Sequence, residues 1–215
     1  MYCNQCGKQI PEDASFCNFC GAKTCLDKQI QKNQDENIAG IEQRYNNLSK
    51  IYLPNKITFL LIAEAPPKEI RNFFYYIGKN QGNYCFFQNI MLASFNIKYR
   101  GDIEEKKHLL DMFCKKGYFL IDSVDEPIKT NAKVEIIKAI PSLFERIISF
   151  NKDNLISLET KIILIKNLVC EILKIPLQNN NDIVFNRTFS VKCVSYPRYF
   201  TDKRFIENLG NIFNK

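Results

Sequence analysis

A chain of 215 residues with 46% hydrophobic and 13% aromatic side chains, 17 Phe and 10 Tyr among them, has ample material for a buried core, which excludes an intrinsically disordered protein. Thirty Lys+Arg against 23 Asp+Glu leave a net charge of +7, a balance that suits a polyanion such as nucleic acid without establishing one. No run of about 18 apolar residues occurs, so no membrane span is expected, and the opening Met1-Tyr2-Cys3-Asn4-Gln5-Cys6 lacks the apolar stretch of a secretion signal, so a cytoplasmic location is expected.

The first element is a pair of cysteine knuckles. Cys3-x2-Cys6 is followed by Cys17-x2-Cys20, and a glycine, Gly7 or Gly21, comes directly after each pair. Each Cys-x-x-Cys presents two thiolates from one tight turn, and the glycine lets the backbone turn back with its amide facing the sulfurs. Four soft ligands in a tetrahedron are the closed set of structural zinc, so one Zn²⁺ on Cys3, Cys6, Cys17 and Cys20 is expected. A segment of about 24 residues buries too little surface to fold unaided, and the metal supplies most of its stability. Residues 1–24 resemble the short zinc ribbons that begin many proteins. Such ribbons bind nucleic acid, bind protein or cap a terminus, and Lys8 and Lys23 against Glu12 and Asp13 do not choose among these. In the cytosol paired cysteines serve metals more often than disulfides, and nine is an odd count for a disulfide framework. Cys25 reads as a bystander. Cys85, Cys114, Cys170 and Cys193 stand singly in apolar surroundings and are expected as buried free thiols.

Residues 25–54 read as a helical linker. They are polar, with Ile41, Tyr45 and Leu48 at helical spacing before Pro54. From Ile57 to Ala63 the chain is almost continuously apolar and rich in β-branched residues, as suits a strand covered on both faces. Helices are expected at about 68–77, 83–97 and 102–116, and a second strand at Tyr118–Asp122. An apolar stripe through Ile136, Ile137, Ile140, Leu143, Phe144, Ile147 and Ile148 predicts helix over 132–150, broken in two at Pro141. A third strand is expected at Lys161–Ile165, a helix at 166–174, a fourth strand at Ser190–Val194, and a last helix from about Asp202 to Phe213 with Thr201 as its N-cap. Strands alternating with helices predict a four-stranded parallel sheet in a three-layer α/β/α sandwich, α/β in class, behind the small N-terminal ribbon. Ligands of such sheets bind at the carboxyl ends of the strands. Those ends are Glu64–Pro67, Asp122–Asp125, Lys166–Asn167 and Ser195–Arg198.

At the first of these ends, Leu61-Ile62-Ala63-Glu64-Ala65-Pro66-Pro67 resembles the first active-site motif of the uracil-DNA glycosylase superfamily, in the branch that has Gly-Glu-Ala-Pro-Gly after its first strand. The order of elements over roughly 55–213 is similar to that family too, so residues 55–215 are taken as the glycosylase-like domain. The resemblance implies hydrolysis of the bond between a damaged base and its sugar, with the base extruded from the duplex, stacked on a ring and read along its polar edge. It implies Glu64 as the residue that orients or activates water, with Ala65 and Pro66 shaping the loop. It implies a stacking ring from Phe73-Phe74-Tyr75-Tyr76 or Phe86-Phe87, of which Phe86 is the candidate, and places Asp122 where the family often has a base-reading asparagine. An ionised aspartate only accepts hydrogen bonds, so it reads a base differently. The loop Ser195-Tyr196-Pro197-Arg198 lies where the family carries His-Pro-Ser. Ser195 or Tyr196 takes the histidine's place on the leaving-group side, and Arg198 becomes a phosphate contact.

Each of these residues also has a plain structural reading. Glu64 can cap the following helix, Asp122 can cap the next segment, and most of the six aromatics must be core. The only histidine, His108, sits in the charged stretch Glu104–His108, remote from the motifs. Residues 187–215 hold six basic side chains against two acidic, more than half of the net +7, and a DNA partner is expected there. Three functions therefore stand: a DNA glycosylase, a non-catalytic module whose ribbon recruits nucleic acid or protein, and an α/β enzyme of free nucleotides.

Overall fold

A computed structural model describes residues 41–78, 82, 85–179, 189–196 and 203–214, together with Gln9. The four ribbon cysteines, Arg198 and Thr201 lie outside the described residues. In chain order the elements are α1 (Ile41–Lys50), β1 (Ile57–Ala63), a single 3-10 turn at Ile70–Asn72, α2 (Cys85–Phe95), α3 (Ile103–Lys115), β2 (Tyr118–Asp122), α4 (Ala132–Lys152), β3 (Ile156–Ile165), α5 (Asn167–Asn179), β4 (Ser190–Val194) and α6 (Lys203–Phe213). The expected α/β architecture is the one observed: the four strands form one parallel sheet in the order β2-β1-β3-β4.

Strand chemistry explains that order. β1 beyond Thr58 and the last four residues of β3 (162–165) are apolar on both pleat faces, and these two strands occupy the centre, where both faces are covered. Pleat alternation then assigns the helices. Tyr118 and Phe59 face one way, against Phe113 of α3 and Phe213 of α6, with Tyr118 stacked 4.5 Å from Phe213. The next residue, Phe119, faces the other way and meets Phe150 of α4 at 5.8 Å. α2 lies along α6, where a Cβ on Gly210 would meet the Ala93 carbonyl at 3.3 Å, so the glycine permits the close approach. Asp102 and Asn131 start α3 and α4 as N-caps, their side chains accepting backbone N–H bonds from Glu105 and from Lys133 and Val134. Among the described residues no helix is long and apolar enough to cross a membrane.

Four sequence expectations are corrected. No helix forms over 68–77. Phe73, Phe74 and Tyr75 are all buried in succession, which no single helix face allows, and the chain there takes only the short 3-10 turn. The phenol of Tyr75 instead closes the outer edge of β2, accepting from the Leu120 N–H at 2.8 Å and donating to the Leu120 carbonyl at 3.1 Å. Pro141 does not divide α4. It lies on the exposed side, while Ile136, Leu143, Phe144 and Ile147 hold the turns on both sides of it to the core, and Ile137 faces outward. β3 begins at Ile156 rather than Lys161, and its register to β1 shifts between Ile57 and Phe59. Finally, Cys170 and Cys193 are not free thiols. α5 packs on the edge strand β4, brings their Cα atoms to 5.7 Å, and a disulfide joins them, while Cys85 and Cys114 are half-buried thiols.

The α1 segment belongs to the packed body. Tyr45, Leu48 and Tyr52 are buried in the common core, and the Tyr45 hydroxyl donates to the Pro67 carbonyl. That bond ties α1 to the loop after β1, where the cleft opens.

Candidate functional site

In an open parallel sheet the crevice forms where the strand order reverses, outside the carboxyl ends. Here the reversal falls between β1 and β3. The residues immediately beyond those strands are Glu64 and Lys166, and they form an ion pair across the crevice. The Lys166 backbone has φ +82°, a left-handed conformation that costs a lysine of order 1 kcal/mol or more. Its N–H donates to the Val194 carbonyl at 2.9 Å and its carbonyl accepts from Cys170, so the end of β4 and the first turn of α5 hold it there.

The cleft around this pair measures about 640 Å³, within the ~300–1,000 Å³ range of small-molecule sites. One wall is Ala63 through Lys68, the loop that Pro66 and Pro67 stiffen. Asp122 and Leu120 come from β2, and Tyr196 from the segment after β4. Phe73, Phe74 and Phe86 form an aromatic wall, and the rings of Phe86 and Tyr196 meet edge to face at 5.0 Å. Tyr196 also meets Phe205 of α6 at 4.9 Å, so packing on both sides orients it.

The end of β2 is fastened to the end of β1. Ala63 and Asp122 are register partners. The Ser123 N–H donates to the Ala63 carbonyl at 2.8 Å, and the Ser123 hydroxyl donates to the Glu64 carbonyl. From α4, Arg146 donates to the backbone carbonyls of Asp122 (2.9 Å) and Ser123 (3.3 Å) and pairs with the Asp125 carboxylate at 2.9 Å. Ser142 donates to the same carboxylate at 3.1 Å. Burial pushes the Asp122 carboxyl up to about 7; Asp125 and Glu64 push the same way, and Arg146 and Lys166 oppose them.

Of the residues singled out from sequence, Glu64, Ala65, Pro66, Phe86, Asp122 and Tyr196 therefore line one cleft. Ser195 does not: it is exposed beside the cleft, with its hydroxyl donating to the Asn167 side-chain oxygen. His108 is exposed on α3 and lines no part of the cleft. Arg198 and the ribbon cysteines Cys3, Cys6, Cys17 and Cys20 lie outside the described residues. Among the described residues no cluster of His, Cys, Asp or Glu could hold a metal. Sequence reasoning marked Lys166 only as a strand end and gave Arg146 no role. A lysine directly after four apolar strand residues was the available signal for the first; nothing local signals the second.

Fold and cleft define an α/β domain with an open cleft at its topological switch point, preceded by an N-terminal zinc ribbon. The zinc-ribbon domain family matches residues 2–24. No curated protein and no solved structure matches the chain.

Proposed function

We propose that the α/β body is a DNA glycosylase of the uracil-DNA glycosylase type, which hydrolyses the bond between a damaged or modified base and its sugar. The observation that carries this reading is the cleft itself. A carboxylate stands at the switch point beside a second carboxyl and an aromatic wall, in a space large enough for an extruded nucleotide. Glu64, oriented by the Lys166 ammonium, accepts the proton of the attacking water. Phe86 and Tyr196 supply a ring for the base, and Asp122 meets its polar edge. Ala65 and Pro66 set the wall against which the sugar lies. Tyr196 is the better placed of the two leaving-group candidates, since the Ser195 hydroxyl is directed to Asn167. Arg198 and the basic residues near it provide phosphate contacts, which makes binding salt-sensitive.

The test is release of base from labelled oligonucleotides carrying uracil, hypoxanthine or oxidised bases, at low and moderate salt. Alkali-revealed abasic sites are the expected result. Salt-sensitive binding with no abasic sites would replace this reading with that of a recruiting module. No binding and no release would leave a fold likeness alone and turn attention to free nucleotides.

The ribbon's donor set fits zinc. Four thiolates in two Cys-x-x-Cys pairs match a soft tetrahedral ion, which Cys3, Cys6, Cys17 and Cys20 would hold as a structural centre. One zinc per purified chain is expected by elemental analysis. Cys17→Ser is expected to lose the ion on mild chelation that the natural chain withstands; equal retention would remove Cys17 from the ligand set. The ribbon's partner is then a nucleic acid or a protein, and the body supplies the chemistry.

A further inference from the structure

Two carboxyl groups share the cleft, and their surroundings treat them oppositely. Glu64 lies against the Lys166 ammonium in an ion pair. Asp122, one residue away across the β1–β2 register, has no hydrogen bond or ion pair to its carboxyl among the described residues. Neither nearby cation is directed to it. Lys166 is taken by Glu64, and Arg146 gives its N–H groups to the Asp122 and Ser123 carbonyls and its charge to Asp125. A carboxyl paired with a cation beside one whose carboxyl has no partner is an arrangement in which the first can serve as base and the second as acid.

Resting on the glycosylase reading above, we propose that Asp122 is the general acid of the reaction and delivers a proton to the departing base. As the bond between C1′ and the base nitrogen breaks, its electron pair passes to the base. The neutral Asp122 carboxyl gives its proton to a ring nitrogen or carbonyl oxygen of that base, which leaves uncharged. Water forms the new bond to C1′ and yields its proton to Glu64. One water is consumed, Asp122 ends as the carboxylate and Glu64 as the acid, and a proton exchanged through solvent resets the pair. This chemistry takes the place of the absent histidine and extends the substrate class to bases whose anions leave poorly.

The groups facing Asp122 are consistent with that role. Glu64 from β1 and Asp125 from its own loop favour the protonated form, whereas Arg146 from α4 and Lys166 from β3 disfavour it. Tyr45 and Ser49 of α1, on the far side of Asp122, bring no further charge. Burial outweighs the cations, and the carboxyl titrates at about 7.

The test compares uracil with 5-fluorouracil in one oligonucleotide sequence under single-turnover conditions, for the natural chain and for Asp122→Asn. Fluorine makes the base a better leaving anion that needs the acid less. Asp122→Asn is expected to lower uracil release by about 10²–10⁴-fold and fluorouracil release at least about tenfold less. The fall in uracil release above about pH 7 should disappear in the variant. Should Asp122→Asn fold poorly, the natural chain decides alone, because the alkaline fall must be steeper for uracil than for fluorouracil. Equal losses on both bases, or equal alkaline limbs, would overturn the acid role while leaving the glycosylase reading intact. Absence of release of any base by the natural chain would overturn both.

Discussion

On the glycosylase reading, Glu64→Gln is expected to lower base release by about 10²–10⁴-fold, the span typical of a lost proton acceptor, while leaving the fold and the affinity for the oligonucleotide close to those of the natural chain. Glutamine keeps the size and one acceptor oxygen of glutamate but cannot take up the proton of water at neutral pH. The change also breaks the pair with Lys166. That side chain is 40% exposed, so water takes over the solvation of its ammonium, and the cost in stability stays at or below about 1 kcal/mol. Loss of rate therefore separates from loss of structure. Single-turnover release, a thermal melt and a binding isotherm on the same preparation make the comparison. Release at the natural rate from Glu64→Gln, with binding intact, would remove Glu64 from the chemistry. Parallel losses of rate and melting temperature would reduce it to a structural ion pair across the β1–β3 crevice.

The parts of this cleft differ in how they can be read from sequence. β2 and β4 have the expected bounds, and β1 begins and ends where its apolar run does, because a strand buried on both faces must be apolar throughout. Once the strands are placed, the rule that ligands sit beyond their carboxyl ends selects Glu64, Asp122 and Lys166 without any structure. What local pattern could not supply is the pairing among them. The assignment of Lys166 to Glu64 and of Arg146 to the β2 loop depends on contacts 102 and 24 residues apart in the chain. The same holds for Cys170 and Cys193, 23 residues apart, which meet only because α5 packs on β4. The failure over 68–77 is of another kind. An aromatic cluster at Phe73–Tyr76 satisfies a helix pattern and an extended one equally, and the demand of the β2 edge for the Tyr75 hydroxyl settles the matter.

Behind the aromatic wall, Lys106→Met is expected to stabilise the protein by on the order of 2–4 kcal/mol near pH 6–7. Lys106 of α3 is 2% exposed and has no carboxylate partner among the described residues; its ammonium reaches the Phe73 carbonyl at 3.4 Å and lies 4.9 Å over the ring of Phe87. Burial lowers its pKa from 10.5 to about 7. Between those two values the unfolded chain binds a proton that the folded chain does not, so stability rises with pH across that window. Below about pH 7 the folded protein carries the full cost of a buried ammonium, close to 5 kcal/mol by the usual conversion, partly offset by about 1–2 kcal/mol from the ring and the carbonyl. Methionine has a similar length and helix preference and brings no charge, so it removes the cost and leaves the packing. The gain must shrink as pH rises, to less than half by about pH 9, because the natural protein is by then mostly free of the penalty. Denaturant unfolding of both proteins at the two pH values measures this directly; a loss of stability, or a gain independent of pH, would contradict it. Phe73 lines the cleft, so on the glycosylase reading the same substitution bears on activity. A protein that keeps a costly lysine there holds the Phe73 carbonyl in place with it, and Lys106→Met should be more stable yet position the aromatic wall less firmly, raising KM for base release more than it lowers kcat.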